Sequence, residues 1–386
     1  MLRTNHHVCS HHHPRTTPAL RIAIFFALGV LQTLLALVLF ERADDHAYFL
    51  EVANDGIGAV VESGVEQSDL KAQAAAIVFH ALASPSRWIG AGEIGHLVWL
   101  RLLTLAGFLF AFEWVRRTLR PGSNTAQTAA ARKRFMVLCL LYPGQLAWTA
   151  SLLRDGPACT FLFAAMLAWS LRRHVIAIAC MTVSLALRPE FVLVVAVLAL
   201  AVHLATRLHV RKHRVLLLTA LCGLISVTLF EPRLAASEFA QLAFTEGGFA
   251  YPAIAHPLDF VGYALVLMQA LMDPISITAL ATPSPFSLAE AAFFAWLLLS
   301  GLRRMPSVST RAAGLLAGLF ASMWLFAYFE IFVSGYSRHR LALVILLIAV
   351  NVLTEPHRQR RRLSRKSSSM GMDRPPGPSH ALGPAA

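Results

Sequence analysis

Two adjacent carboxylates, Asp44 and Asp45, follow closely on an apolar run that covers residues 19–40. The local sequence is Glu41-Arg42-Ala43-Asp44-Asp45-His46-Ala47-Tyr48, so a tyrosine stands three residues after the second acid. If the run crosses a membrane, the pair sits at the membrane surface. Acids there have two chemical uses. One can take the proton of a substrate hydroxyl as a general base, or the two together can hold a divalent cation. Ordinary polar residues ending a helix would look the same. Three short turns between later apolar runs add further candidates: Arg154-Asp155-Gly156-Pro157, Arg188-Pro189-Glu190 and Ser337-Arg338-His339-Arg340. The bland reading of each arginine is a side chain snorkelling from a helix end.

The elements that must position these residues are apolar helices. Of 386 residues, 56% are apolar and 14% charged, and the mean hydropathy is +0.59. A soluble domain carries about a quarter charged residues, so this composition argues against a soluble globular enzyme and excludes a disordered chain. An outer-membrane barrel would show short alternating segments instead. The expected fold is all-α, a polytopic membrane bundle of about ten spans. They are placed near 19–40, 94–115, 135–153, 157–171, 174–187, 191–206, 215–230, 287–302, 312–333 and 341–354. Several are shorter than the ~20 residues that a spanning helix needs. A first loop, 41–93, carries apolar residues near helical spacing over 57–82, which predicts amphipathic surface helices. A second loop, 231–286, holds the apolar stretch 260–272, a re-entrant helix or an eleventh span. The chain thus divides into a tail (1–18), a membrane domain (19–354) and a basic, Ser/Pro/Gly-rich tail (355–386).

The net charge of +13 and pI near 10.3 would suggest nucleic acid in a soluble protein. Here the basic residues cluster between apolar runs, as topology-setting loops do. With the N-terminus in the cytoplasm, cytoplasmic segments hold 24 Lys and Arg and the opposite side 8. This bias puts both termini inside and favours ten spans over eleven. It also puts Asp44, Asp45 and all three short turns on the outer side, where most of the acids lie. The arginines of those turns oppose the positive-inside trend, which points to a role for them. The 30 arginines against four lysines suggest a GC-rich bacterial genome, hence a bacterial inner membrane.

An Asp-acid-x-x-Tyr sequence directly after the first span resembles the signature of GT-C glycosyltransferases, and protein O-mannosyltransferases and lipid A aminoarabinose transferases are similar in this segment. The resemblance extends over most of the chain as architecture: an acidic first outer loop with surface helices, and about ten spans. It implies transfer of a sugar from a polyprenyl-phosphate carrier to an acceptor hydroxyl of a glycan, lipid or protein. It implies Asp44 as the catalytic acid of the first loop, Asp45 at the second acidic position, where many members have Glu, and Tyr48 at the aromatic one. Such an enzyme must hold a phosphodiester, which suits Arg154, Arg188, Arg338 and Arg340, with Asp155 and Glu190 beside two of them. Arg338-His339-Arg340 is similar to a family Arg-aromatic-Arg element, with His in the middle. The resemblance implies no certain cofactor, and a divalent cation at the acids is left open. The rival readings are a lipid-linked sugar transporter or polymerase, and a non-catalytic subunit of a cell-envelope complex.

Other features carry less. Glu330 lies within a span, and Glu113 reads as a helix-end charge. The histidines at 6, 7 and 11–13 read as a tail. The tryptophans at 88, 99, 148, 169 and 296 read as an interface belt. Cys9, Cys139, Cys159, Cys180 and Cys222 make no CxxC pair and suggest neither disulfide nor zinc. Without a GxGxxG or P-loop, no nucleotide site is expected.

Overall fold

The computed structural model describes residues 17–40, 46–56, 58, 70–89, 92–119, 125–149, 151–189, 191–207, 285–304, 309–329 and 341–354. Within them the chain is helical, with no strand. We number the helices α1 (Pro18–Leu39), α2 (His46–Asp55), α3 (Leu70–Ala83), α4 (Gly92–Leu119), α5 (Thr125–Leu141), α6 (Pro143–Trp148), α7 (Asp155–Ser170), α8 (His174–Leu187), α9 (Phe191–Arg207), α10 (Pro285–Arg304), α11 (Thr310–Phe329) and α12 (Leu341–Thr354). A 3-10 turn, Ser84–Ile89, joins α3 to the approach of α4. The expected span 215–230, the loop 231–286, the stretch 260–272 and both tails lie outside the described residues.

Among the described residues, two helices are long and apolar enough to cross a membrane: α1, with a mean hydropathy of 2.6, and α4, with 1.7. Thr17 caps α1, its hydroxyl accepting from Leu20 N–H at 3.3 Å, and Pro18 suits the first turn because its missing N–H has no partner there anyway. One face of α1 is left bare, with Leu31, Leu35, Val38 and Leu39 exposed. An aliphatic face that wide needs an apolar surrounding. At the other extreme, α12 is buried from Ala342 to Leu353 and forms the centre of the core with α4 and α7.

The expected span at 135–153 is broken in the structure. Tyr142 precedes Pro143, and a residue before proline is pushed out of the helical region. Helix α5 therefore ends at Leu141, Pro143 opens the short α6, and the chain then runs irregularly through Ser151–Arg154. In place of the single helix expected over 135–153 stand a helix that begins earlier, at Thr125, a break at Tyr142 and a short helix.

The contacts fix helix directions. A Cβ at Gly107 would meet the Thr160 backbone at 2.6 Å, and one at Gly156 would strike the Thr104 hydroxyl, so α7 runs parallel to α4 at close approach. The Thr160 hydroxyl, donating to Leu103 O at 3.0 Å, reinforces the seam. Helix α8 folds back antiparallel through a three-residue turn in which Arg172 takes a left-handed φ of 60° and Arg173 N–H reaches Ala168 O at 2.9 Å. Ser184 then donates to Ala158 O at 3.0 Å. The register places the start of α7 level with Thr104, twelve residues along α4, or about 18 Å below Gly92 at 1.5 Å per residue. Helix α7 starts and α8 ends at this recessed level, while α4 continues past it.

Helices α2 and α3 cover the recess; most of α3 falls within the stretch 57–82, and α2 lies before it. Trp99 Nε1 donates to Leu82 O at 2.8 Å, and His96 Nε2 lies 3.2 Å from Asn54 Oδ1. Arg87 donates to the carbonyls of Ala53 and Asn54, which would otherwise end α2 without partners. Trp99 thus ties the cover to α4 rather than standing in an interface belt, whereas Trp88 is 93% exposed.

Candidate functional site

The described site residues come from four helix ends. His46 opens α2 directly after Asp44-Asp45 in the sequence, and it is buried. Leu152 N–H donates to its Nδ1 at 2.9 Å. A ring nitrogen that accepts carries no proton, so the imidazole proton is on Nε2. That nitrogen lies 3.2 Å from Oε1 of Glu93, in the first turn of α4. Tyr48, two residues on, is half-buried and packs edge-on against Phe49, ring centroids 5.2 Å apart. The Arg154 guanidinium sits 5.9 Å from the Phe49 ring centroid, over its face.

Asp155 is the first residue of α7, and Arg188 caps the end of α8. The α7–α8 hairpin brings them together: Arg188 Nε lies 2.8 Å from Asp155 Oδ1, and both are buried. A carboxylate suits a helix N-terminus, where backbone dipoles leave partial positive charge. Arg188 is thereby engaged by an acid, whereas the sequence alone left open whether it pairs or faces a ligand.

Below these residues lies a narrow cavity of about 70 Å³. Leu97, Leu100, Arg101 and Thr104 line it from one face of α4; Gly144, Gln145, Ser151 and Leu152 line it from the irregular stretch around α6, Asp155 and Gly156 from α7, and Leu341 from the start of α12. Leu341 directly follows Arg338-His339-Arg340 in the sequence. No protein-family model, curated protein or solved structure matches this chain. The arrangement has to be read from its own chemistry.

Of the expected site residues, the structure brings Asp155 and Arg188 together and sets Arg154 over the ring of Phe49, the residue after Tyr48. Asp44, Asp45, Glu190, Arg338, His339 and Arg340 lie outside the described residues, as does Glu330. No group of three or more potential metal ligands occurs among the described residues. Glu113 is a helix-end charge as expected, bonded to Arg116 Nε at 2.8 Å and Arg117 Nε at 2.9 Å. Three residues were missed. His46 and Glu93 lacked a signal, because their pairing depends on how α2 lies across α4. Arg101 had one, since an arginine inside an apolar run is costly and functional by default.

Proposed function

We propose that the protein is an integral-membrane glycosyltransferase of the GT-C type. It would move a sugar from a polyprenyl-phosphate carrier to an acceptor hydroxyl on the outer face of a bacterial inner membrane. The observation that carries this reading is convergence: segments near residues 46, 93, 154, 188 and 341 meet around one recess. Four of these, near 46, 154, 188 and 341, contain or adjoin a residue that the sequence marks for hydroxyl activation or phosphate binding.

In this reaction Asp44 accepts the proton of the acceptor hydroxyl, whose oxygen bonds to the anomeric carbon. The bond from that carbon to the carrier phosphate oxygen breaks, and the polyprenyl phosphate departs with the electron pair. Asp45 assists Asp44 or holds a cation. Arg154, Arg338 and Arg340 meet the negative charge that grows on the leaving group, with Tyr48 against the substrate. Arg188 with Asp155 sets the rim of the recess. The cover formed by α2 and α3 restricts water and selects the acceptor.

A ten-span topology with both termini in the cytoplasm belongs to the same proposal. Helix directions support it, since Arg116, Arg117 and the Arg172–Arg173 turn gather at the end remote from His46 and Asp155. The test is complementation with Asp44→Asn in the native host, with membrane protein level as control and envelope glycans read by mass spectrometry. Loss of one glycan modification at unchanged protein level is expected, and its mass identifies the sugar. Unchanged glycans would remove the catalytic assignment and return the protein to the transporter or scaffold readings.

A further inference from the structure

Among the described residues, Arg101 is a buried cation that no carboxylate pairs with. It lies nine residues inside α4, about 14 Å along the helix, and is 4% exposed. Its Nη2 donates to Gln32 Oε1 of α1 at 3.1 Å, and Gln32 is itself held by its amide on Leu140 O at 2.7 Å. The Gln145 amide, with its oxygen turned towards the guanidinium, accepts a second bond from Nη2 at 2.9 Å. The buried Nε has no hydrogen-bond partner. Every partner is neutral, and no carboxylate among the described residues forms an ion pair with it. Other arginines are treated differently: Arg188 has Asp155, and Arg116 and Arg117 have Glu113.

A buried charge without a counter-charge is held at a cost unless a ligand supplies one. Arg101 also lines the cavity, so the missing charge has somewhere to sit. Space of about 70 Å³ exceeds the ~10–15 Å³ that a single water needs, which leaves room for a small tetrahedral oxyanion. The N-terminus of the 16-residue α7 opens on the same cavity, where Gly156 contributes a backbone N–H of the right sign; Pro157 has none, and Ala158 N–H is bonded to Arg154 O at 3.0 Å. Two acids stand nearby and are both engaged: Asp155 faces Arg188, and Glu290 accepts from the Tyr142 hydroxyl at 3.0 Å.

We propose that Arg101, Gln145 and the first turn of α7 form a phosphate-binding site, filled by the phosphate of a lipid-linked substrate while the rest of that substrate lies outside the cavity. The lipid source rests on the transferase reading; the oxyanion site does not. Arg101 serves as the buried counter-charge, and its planar fork suits two phosphate oxygens at once.

The test uses the full chain in nanodiscs, with Arg101→Met and Arg101→Lys, titrated with a short-chain polyprenyl phosphate and separately with inorganic phosphate. Thermal unfolding and calorimetry are the readouts. For Arg101→Met without ligand, the melting temperature is expected to rise by about 2 °C or more, because an uncompensated charge is removed. Prenyl phosphate is expected to bind this variant at least tenfold more weakly and no longer to stabilise it. Arg101→Lys is expected to keep the charge, lose the fork and fall between the two. A fall in melting temperature for Arg101→Met with phosphate binding unchanged would overturn the proposal and make Arg101 a structural tie between α1 and α6. Equal affinity for inorganic and prenyl phosphate, both lost in Arg101→Met, would overturn the lipid source and leave an oxyanion site. Arg101-dependent prenyl-phosphate binding together with unchanged glycans in Asp44→Asn would sink the transferase reading and leave this one standing.

Discussion

Asp155 and Arg188 are 33 residues apart in sequence, and each alone looked like a charge at a helix end. Their meeting at 2.8 Å with both side chains buried changes what a substitution does. Breaking a buried pair leaves the remaining charge without compensation, so Arg188→Met is expected to cost about 3–5 kcal/mol of stability. Asp155→Leu added to Arg188→Met should recover most of that loss, because no charge is then stranded. Unfolding of the single and double variants in detergent checks both signs. Should the double variant be no more stable than the single, the pair is held by something other than charge. The candidates were legible in the sequence as residue types at segment ends. Their partners were not, because which charge meets which depends on the α7–α8 hairpin and not on spacing.

At the scale of elements, the seam between α4 and α7 decides where the site lies. It is set by Gly107 against Thr160 and by Gly156 against Thr104. Gly107→Val must push the helices apart, since the obstacle is backbone and cannot rotate away. Overpacking of this kind typically costs about 1–3 kcal/mol. A lower melting temperature and impaired function in Gly107→Val, with Ala106→Val as a neighbour on the same helix for comparison, is the expected result. Helix existence was readable from apolar runs, and the break at Tyr142 was readable too, since Pro143 announces it. The stagger of α7 down α4 was not readable. Glycine and threonine mark a close approach but do not name the residue approached.

For the molecule as a whole, labelling tests the disposition in the membrane. In a cysteine-free background, Trp88→Cys is expected to react with an impermeant maleimide from outside the cell, and Lys133→Cys only after permeabilisation. Labelling of both from one side would overturn the topology. The two exposed positions lie at opposite ends of the bundle on the direction of α4 and α5. By itself the sequence determined that the chain is helical and apolar, where most helices fall and which segments carry chemistry-bearing residues. Composition and local period act within one segment, so they survive without knowledge of neighbours. Only the tertiary structure decided that His46 reaches Leu152 and Glu93, that Arg188 is neutralised by Asp155, and that Arg101 is left uncompensated beside a cavity. Those outcomes depend on register and crossing between segments far apart in the chain, 106 residues for His46 and Leu152. A side chain's charge is fixed by its type, whereas whether that charge is matched depends on what packs beside it.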